Sequence, residues 1–185
     1  MVYSHFQNNN AIKMFLWEMN KNARNLGMFD TFYDSPHGLR NCRNFSTTYD
    51  VCLLTQECMK IQVFRSVVNT RVFEAKARAN DVSPSSFEAK KLSRYKWETT
   101  NRLLGCFEGL IGSKTGITAS AGPCFSGFYE KDEYKLALVL ANSRTMEVRW
   151  IEIQKMVHWI QRATKNRKAA ILREKKKQKG NGKGS

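Results

Sequence analysis

Lys114, Thr115 and Gly116 stand in the densest run of chemistry-bearing residues in the chain. This is the stretch from Gly109 to Gly122, where a lysine, several hydroxyls and paired glycines crowd together. On an exposed strand a Lys-Thr-Gly triplet can line a binding site: the ammonium supplies a positive field, the threonine hydroxyl grips a carboxylate, and the glycine admits close approach. The same three residues also suit an ordinary glycine-flanked strand edge, so the triplet does not decide by itself.

Other residue types with chemical potential point to less. His37, between Pro36 and Gly38, reads as a turn histidine bonding to backbone rather than as a general base. His158 falls on the closing helix as an interfacial or solvated residue, and His5 carries no reading. The five cysteines, Cys42, Cys52, Cys58, Cys106 and Cys124, show neither a metal spacing nor a Cys-x-x-Cys pair, so neither metal nor cofactor is implied. An odd count leaves at least one unpaired. Cys52 and Cys58 lie in an apolar helical pattern and read as small core residues, which favours a reducing compartment.

The 185 residues are 42% hydrophobic and 11% aromatic, enough for one domain with a real core. The formal charge of +15 is unevenly spread: from Lys165 to Ser185 there are nine basic residues against Glu174 alone. The reading is a domain over residues 1–164 and a basic disordered tail over 165–185, because the tail cannot bury a core. A solvated extension is favoured over a nucleic-acid arm, since no aromatic residues interleave to stack on bases. Met1–Asn8 lacks the pattern of an export signal, and no run is long and apolar enough to span a bilayer.

The elements that must position the triplet follow from periodicity. Ile12, Phe15, Leu16, Met19, Ala23 and Leu26 recur at helical spacing, capped by Asn10 and stopped by Gly27. Pro36 and Gly38 mark a turn-rich segment after it. Ser46 is read as the cap of a second helix, from Thr47 to about Lys60. Residues 61–70 fit helix or strand equally. Val72–Ala75 looks like a short strand, and Arg78–Lys96 like a loop. Cys124–Tyr129 and Lys135–Ala141 form an antiparallel hairpin, and a closing helix from about Met146 to Arg162 carries Trp150, Ile153, Val157 and Ile160 as its apolar stripe. The order implies an α+β fold, helices packed on a mainly antiparallel sheet.

Several ordered segments together resemble the D-alanyl-D-alanine carboxypeptidases, penicillin-binding serine peptidases of the β-lactamase/transpeptidase-like fold. They are Phe15–Asn20, Leu26–Met28, Ser35–Leu39, Ser46–Asp50, Thr100–Leu104, Gly112–Thr118 with Ala121 and Gly122, and Arg144 to Arg149. In that family Ser-x-x-Lys gives the nucleophile and its base, Ser-x-Asn supports them, and Lys-Thr-Gly is the substrate-binding strand. The resemblance implies a catalytic, electrostatic role for Lys114. It implies that Thr115, Gly116, Thr118 and Arg149 bind substrate, with Arg149 adding a second positive charge for a terminal carboxylate. For Arg144 and Arg149, solvated positions around a helix N-terminus are an equal alternative. The implied partner is a D-Ala-D-Ala-terminated peptide or a β-lactam, and relatives are typically exported.

The other two motifs do not follow. No Ser-x-Asn triplet occurs, and Ser93-Arg94-Tyr95-Lys96 spells Ser-x-x-Lys only by coincidence, just before the lysine strand. Ile117 follows the triplet where relatives often carry a polar or aromatic residue. The expectation is the C-terminal part of such a domain, without its first strands and nucleophile helix and inactive as written. A partner chain could complete the sheet. The rival expectation is a non-catalytic binding or interaction module with a basic tail.

Overall fold

A computed structural model describes residues 9–39, 42–78 and 92–181. The elements run α1 (Asn9–Asn25), α2 (Thr48–Cys58), α3 (Gln62–Val68), β1 (Val72–Arg78), β2 (Leu92–Glu98), β3 (Leu110–Thr118), β4 (Gly122–Lys131), β5 (Tyr134–Leu140) and α4 (Met146–Asn181). Strands β3, β4 and β5 form an antiparallel sheet in that order, which leaves β3 at an edge. Strands β1 and β2 form a separate antiparallel ribbon.

Alternation along β4 sets the layers. Phe125, Gly127 and Tyr129 are buried toward α4, where Phe125 meets Trp150 edge to face with ring centroids 6.1 Å apart. Ser126 points the other way and exchanges a 2.6 Å hydrogen bond with Thr55 of α2. The sheet therefore lies between α2 and α4. On the α4 side, Ile153 and Val157 are fully buried with Leu103, Leu110, Tyr134 and Leu138. Each such aliphatic chain contributes roughly 1.5–3 kcal/mol by leaving water. The expected stripe of the closing helix is the stripe that packs.

Local chemistry explains the boundaries. Gly27, at φ +77°, ends α1: its N–H bonds to the Arg24 carbonyl, and the Met28 N–H reaches the Ala23 carbonyl at 2.9 Å. The cap of α2 is Thr47 rather than the expected Ser46, because the Thr47 hydroxyl accepts the Asp50 N–H at 3.1 Å while Ser46 bonds to Thr31. Residues 62–68 resolve as helix. Much of the segment read as loop before the lysine strand is β2, paired with β1 from Val72↔Glu98 to Arg78↔Leu92; residues 79–91 lie outside the described part.

Two expectations are corrected. The closing helix does not stop near Arg162: α4 runs to Asn181, into the segment read as a basic tail. Lysine, arginine, alanine and glutamine have good helix propensity, and no breaker precedes Gly180. The apolar face read from α1 is also only partly covered, with Leu16, Met19 and Leu26 half-buried. Ile12 and Phe15 are exposed, as are Met14 and Trp17, and only Ala23 is buried.

Candidate functional site

Strand β3 carries the triplet in register with β4: Lys114 faces Ser126, Thr115 faces Phe125 and Gly116 faces Cys124. Alternation sends Lys114 and Gly116 to the α2 side of the sheet and Thr115 to the other. Lys114 is exposed at the rim of a cavity of about 250 Å³ lined by Leu54, Cys58, Phe64 and Val68 of α2 and α3. Its ammonium folds back on the Thr115 carbonyl. The Ser113 hydroxyl beside it is buried without a hydrogen-bond partner. Gly116 has open space where a Cβ would stand, whereas a Cβ on Gly112 would lie 2.4 Å from Val68 Cγ2.

The Thr115 hydroxyl meets the Thr100 hydroxyl at 2.9 Å. Thr100 begins a short knot in which Thr99 accepts the Asn101 N–H at 3.2 Å and the Asn101 side chain accepts the Leu103 N–H at 3.0 Å. Asn101 Nδ2 is buried without a partner. Thr118 closes the β3–β4 turn, accepting the Ala121 N–H at 3.0 Å. It also lines a cavity of about 470 Å³ with Phe32, Ser35, Leu39, Phe45 and Ser120.

The loop forming the far wall of that cavity is pinned at three points. Asn20 exchanges hydrogen bonds with both backbone groups of Tyr33 at 2.8 Å. Asn44 accepts the Asp34 and Ser35 N–H groups and donates to the Ser35 hydroxyl. Buried Asp50 accepts the Asp30 N–H at 3.0 Å and the Thr31 hydroxyl at 2.6 Å. His37 accepts the Leu39 N–H at 3.1 Å, the backbone-bonding turn histidine that its neighbours suggested.

Arg149 and Arg144 separate clearly. Arg144 is exposed, whereas Arg149 is 2% exposed, the largest fully buried side chain described. The Arg149 guanidinium donates Nη1 to the Cys124 carbonyl at 2.9 Å and lies 4.3 Å from the Trp150 ring centroid, while Nε has no partner. Burial pushes its pKa below the usual arginine value. The nearby Arg102 adds to this, against the opposing pull of Cys124 and Glu147. Among the described residues no carboxylate pairs with it. Among those residues no group of three His, Cys, Asp or Glu side chains could hold a metal ion.

The structure thus gathers Lys114, Thr115, Gly116 and Thr118 on one strand and ties Arg149 to that strand through Cys124. Sequence reasoning assigned no role to Thr100 or Arg102, although both lie in a run it had singled out.

Residues 9–145 match the family model described as D-alanyl-D-alanine carboxypeptidase. The chain belongs to that family. It is 34% identical over 113 residues to a D-alanyl-D-alanine carboxypeptidase of Streptomyces sp. (strain K15), spanning 61% of this chain and 36% of that protein. It is 27% identical over 143 residues to D-alanyl-D-alanine carboxypeptidase DacF of Bacillus subtilis (strain 168), spanning 77% of this chain and 34% of that one. The chain therefore spans about a third of the length of these family members. The crystal structure of the Streptomyces K15 DD-transpeptidase superposes with a TM-score of 0.70 and 28% identity over 80% of this chain and 53% of that one. The fold is the α+β, transpeptidase-like one expected from the ordered motifs.

Proposed function

We propose that β3 and Arg149 form the carboxylate-gripping part of a serine-type D-Ala-D-Ala peptidase site. Lys114 supplies the positive field, the Thr115 hydroxyl bonds the terminal carboxylate, Gly116 admits the peptide backbone and Thr118 shapes the strand end. The observation that carries this reading is the lysine strand itself, at the sheet edge with Lys114 and Gly116 exposed and the Thr115 hydroxyl beside them, while Arg149 lies buried one strand away without a carboxylate partner among the described residues. A buried guanidinium without a counter-ion is costly, and a ligand carboxylate offsets that cost.

We further propose that the 185 residues bind such a peptide without turning it over. Attack on the terminal amide needs a serine beside a base. Ser93 and Lys96 are three apart on β2, so they fall on opposite faces of the strand, and Lys96 pairs with Glu98 at 2.6 Å. In this reading residues 1–164 make the peptidase-like part and a further polypeptide completes its layers. Among the described residues no strand pairs the outer edge of β3, and Ile12, Met14, Phe15 and Trp17 of α1 are exposed; both support that reading.

Purified protein is incubated with a fluorescent penicillin, and with a D-Ala-D-Ala-terminated peptide in a calorimeter. The expected outcome is no covalent adduct, but saturable peptide binding that Lys114→Ala abolishes. A labelled serine overturns the non-turnover reading, and absence of peptide binding overturns the carboxylate site.

A further inference from the structure

The distal half of α4 does not belong to the layered body. The last described contacts with the sheet side are the Tyr134 hydroxyl on the Gln161 carbonyl, at 3.4 Å, and Lys168 on Glu133, at 2.6 Å. From Lys165 to Lys175 every residue is exposed, yet the backbone stays helical to Asn181. Between 165 and 181 stand eight basic residues and one acid, Glu174.

Two features select the partner. First, the positive charge is not confined to one side: at 3.6 residues per turn, Lys165, Arg167, Lys168, Arg173 and Lys175 fall around the helix axis. Second, the two large apolar residues, Ile171 and Leu172, form no stripe. Their neighbours three and four positions away are Arg167, Lys168, Ala169, Glu174, Lys175 and Lys176. A helix that lies on a lipid surface needs one apolar side and one charged side. A helix ringed by charge fits a partner that surrounds it with anions.

We propose that the distal half of α4 seats in the major groove of duplex DNA, touching phosphates on both walls. Seventeen residues span about 25 Å, and a helix about 10–12 Å across fits a groove about 12 Å wide. The lack of aromatic residues argues against single strands, which need stacking platforms, but a duplex groove needs none. The proposal does not rest on the peptidase reading.

The test is fluorescence anisotropy of the full chain with a labelled random-sequence DNA duplex of about 20 base pairs. Binding is expected to weaken with salt at a log–log slope of roughly −5 to −6, for about six phosphate contacts. The variant Arg167→Glu, Arg173→Glu, Lys175→Glu changes only exposed positions. It should lose about 100-fold in affinity or more, with an unchanged circular dichroism spectrum and melting temperature. Equal affinity in the variant, equal affinity for a single strand of the same length, or adsorption to phosphatidylserine vesicles without duplex binding would each overturn the proposal.

Discussion

Arg149 holds the carbonyl of Cys124 at 2.9 Å, and Cys124 is the residue that β4 places opposite Gly116. One buried guanidinium is thereby fixed one strand away from the lysine strand. Lysine cannot reproduce the planar fork or the stacking on Trp150. Arg149→Lys should weaken D-Ala-D-Ala peptide binding by about tenfold or more and lower stability by about 1–3 kcal/mol. Calorimetry and urea unfolding measure the two effects separately. Unchanged affinity in a folded Arg149→Lys protein counts against its role with the carboxylate.

Two glycines of β3 should behave oppositely. Gly112→Ala drives a methyl into Val68 and is expected to cost about 1–3 kcal/mol in urea unfolding. Gly116→Ala meets nothing and should change stability by less than about 1 kcal/mol. If Gly116 admits the peptide backbone, the same alanine should still reduce peptide affinity severalfold. A Gly116→Ala protein with native stability and native affinity removes the glycine from the proposed site.

Asp50 is expected to be the most sensitive support of the loop at residues 28–39. Replacing it by alanine strands the Asp30 N–H and leaves the Thr31 hydroxyl with Ser46 alone, at a cost of about 1–3 kcal/mol. Hydrogen exchange should report faster opening at Asp30 with α4 unaffected.

Glu130 bridges Lys135 at 2.8 Å and Arg65 at 2.5 Å, and hydrogen bonds from these partners, Lys135 first, hold its carboxyl below the usual glutamate range. A carboxylate with a lowered native pKa stabilises the fold above its unfolded pKa, and that contribution is lost as pH falls through the native value. The stability difference between wild type and Glu130→Gln should be roughly 0.2–1 kcal/mol at neutral pH, as for partly exposed pairs. It should close progressively on acidification below about pH 4.3. A difference that is flat from pH 7 down to acid unfolding contradicts the ion-pair account.

The features legible in the sequence were those with strong periodicity or a fixed chemical signature. The stripe Trp150–Ile153–Val157–Ile160, the β4–β5 hairpin and the Gly27 stop emerged because packing and backbone geometry leave a pattern in neighbouring residues. Strand β2 does carry a strand's period, Arg94, Lys96 and Glu98 alternating with Tyr95 and Trp97, but it follows the polar stretch with Ser83-Pro84-Ser85-Ser86 and reads as part of that loop. The Thr100–Thr115 contact joins residues fifteen apart, and no local signal announces it. Arg149 stands four residues before Ile153, in line with the stripe that packs, and Arg144 precedes the helix; counting back from Ile153 separates the two, a signal the sequence reading did not use.

The continuity of α4 sets a rotational phase. Its first half is locked to the sheet by Ile153 and Val157, and its second half stands in solvent on the same unbroken backbone. A single residue inserted near Thr164 would advance the distal half by about 1.5 Å and swing it by about 100° about the helix axis. Three or four inserted residues would nearly restore its heading. The direction in which the basic half points is thus geared to the sheet through the helical repeat, and a helix-breaking proline at the junction would disengage it.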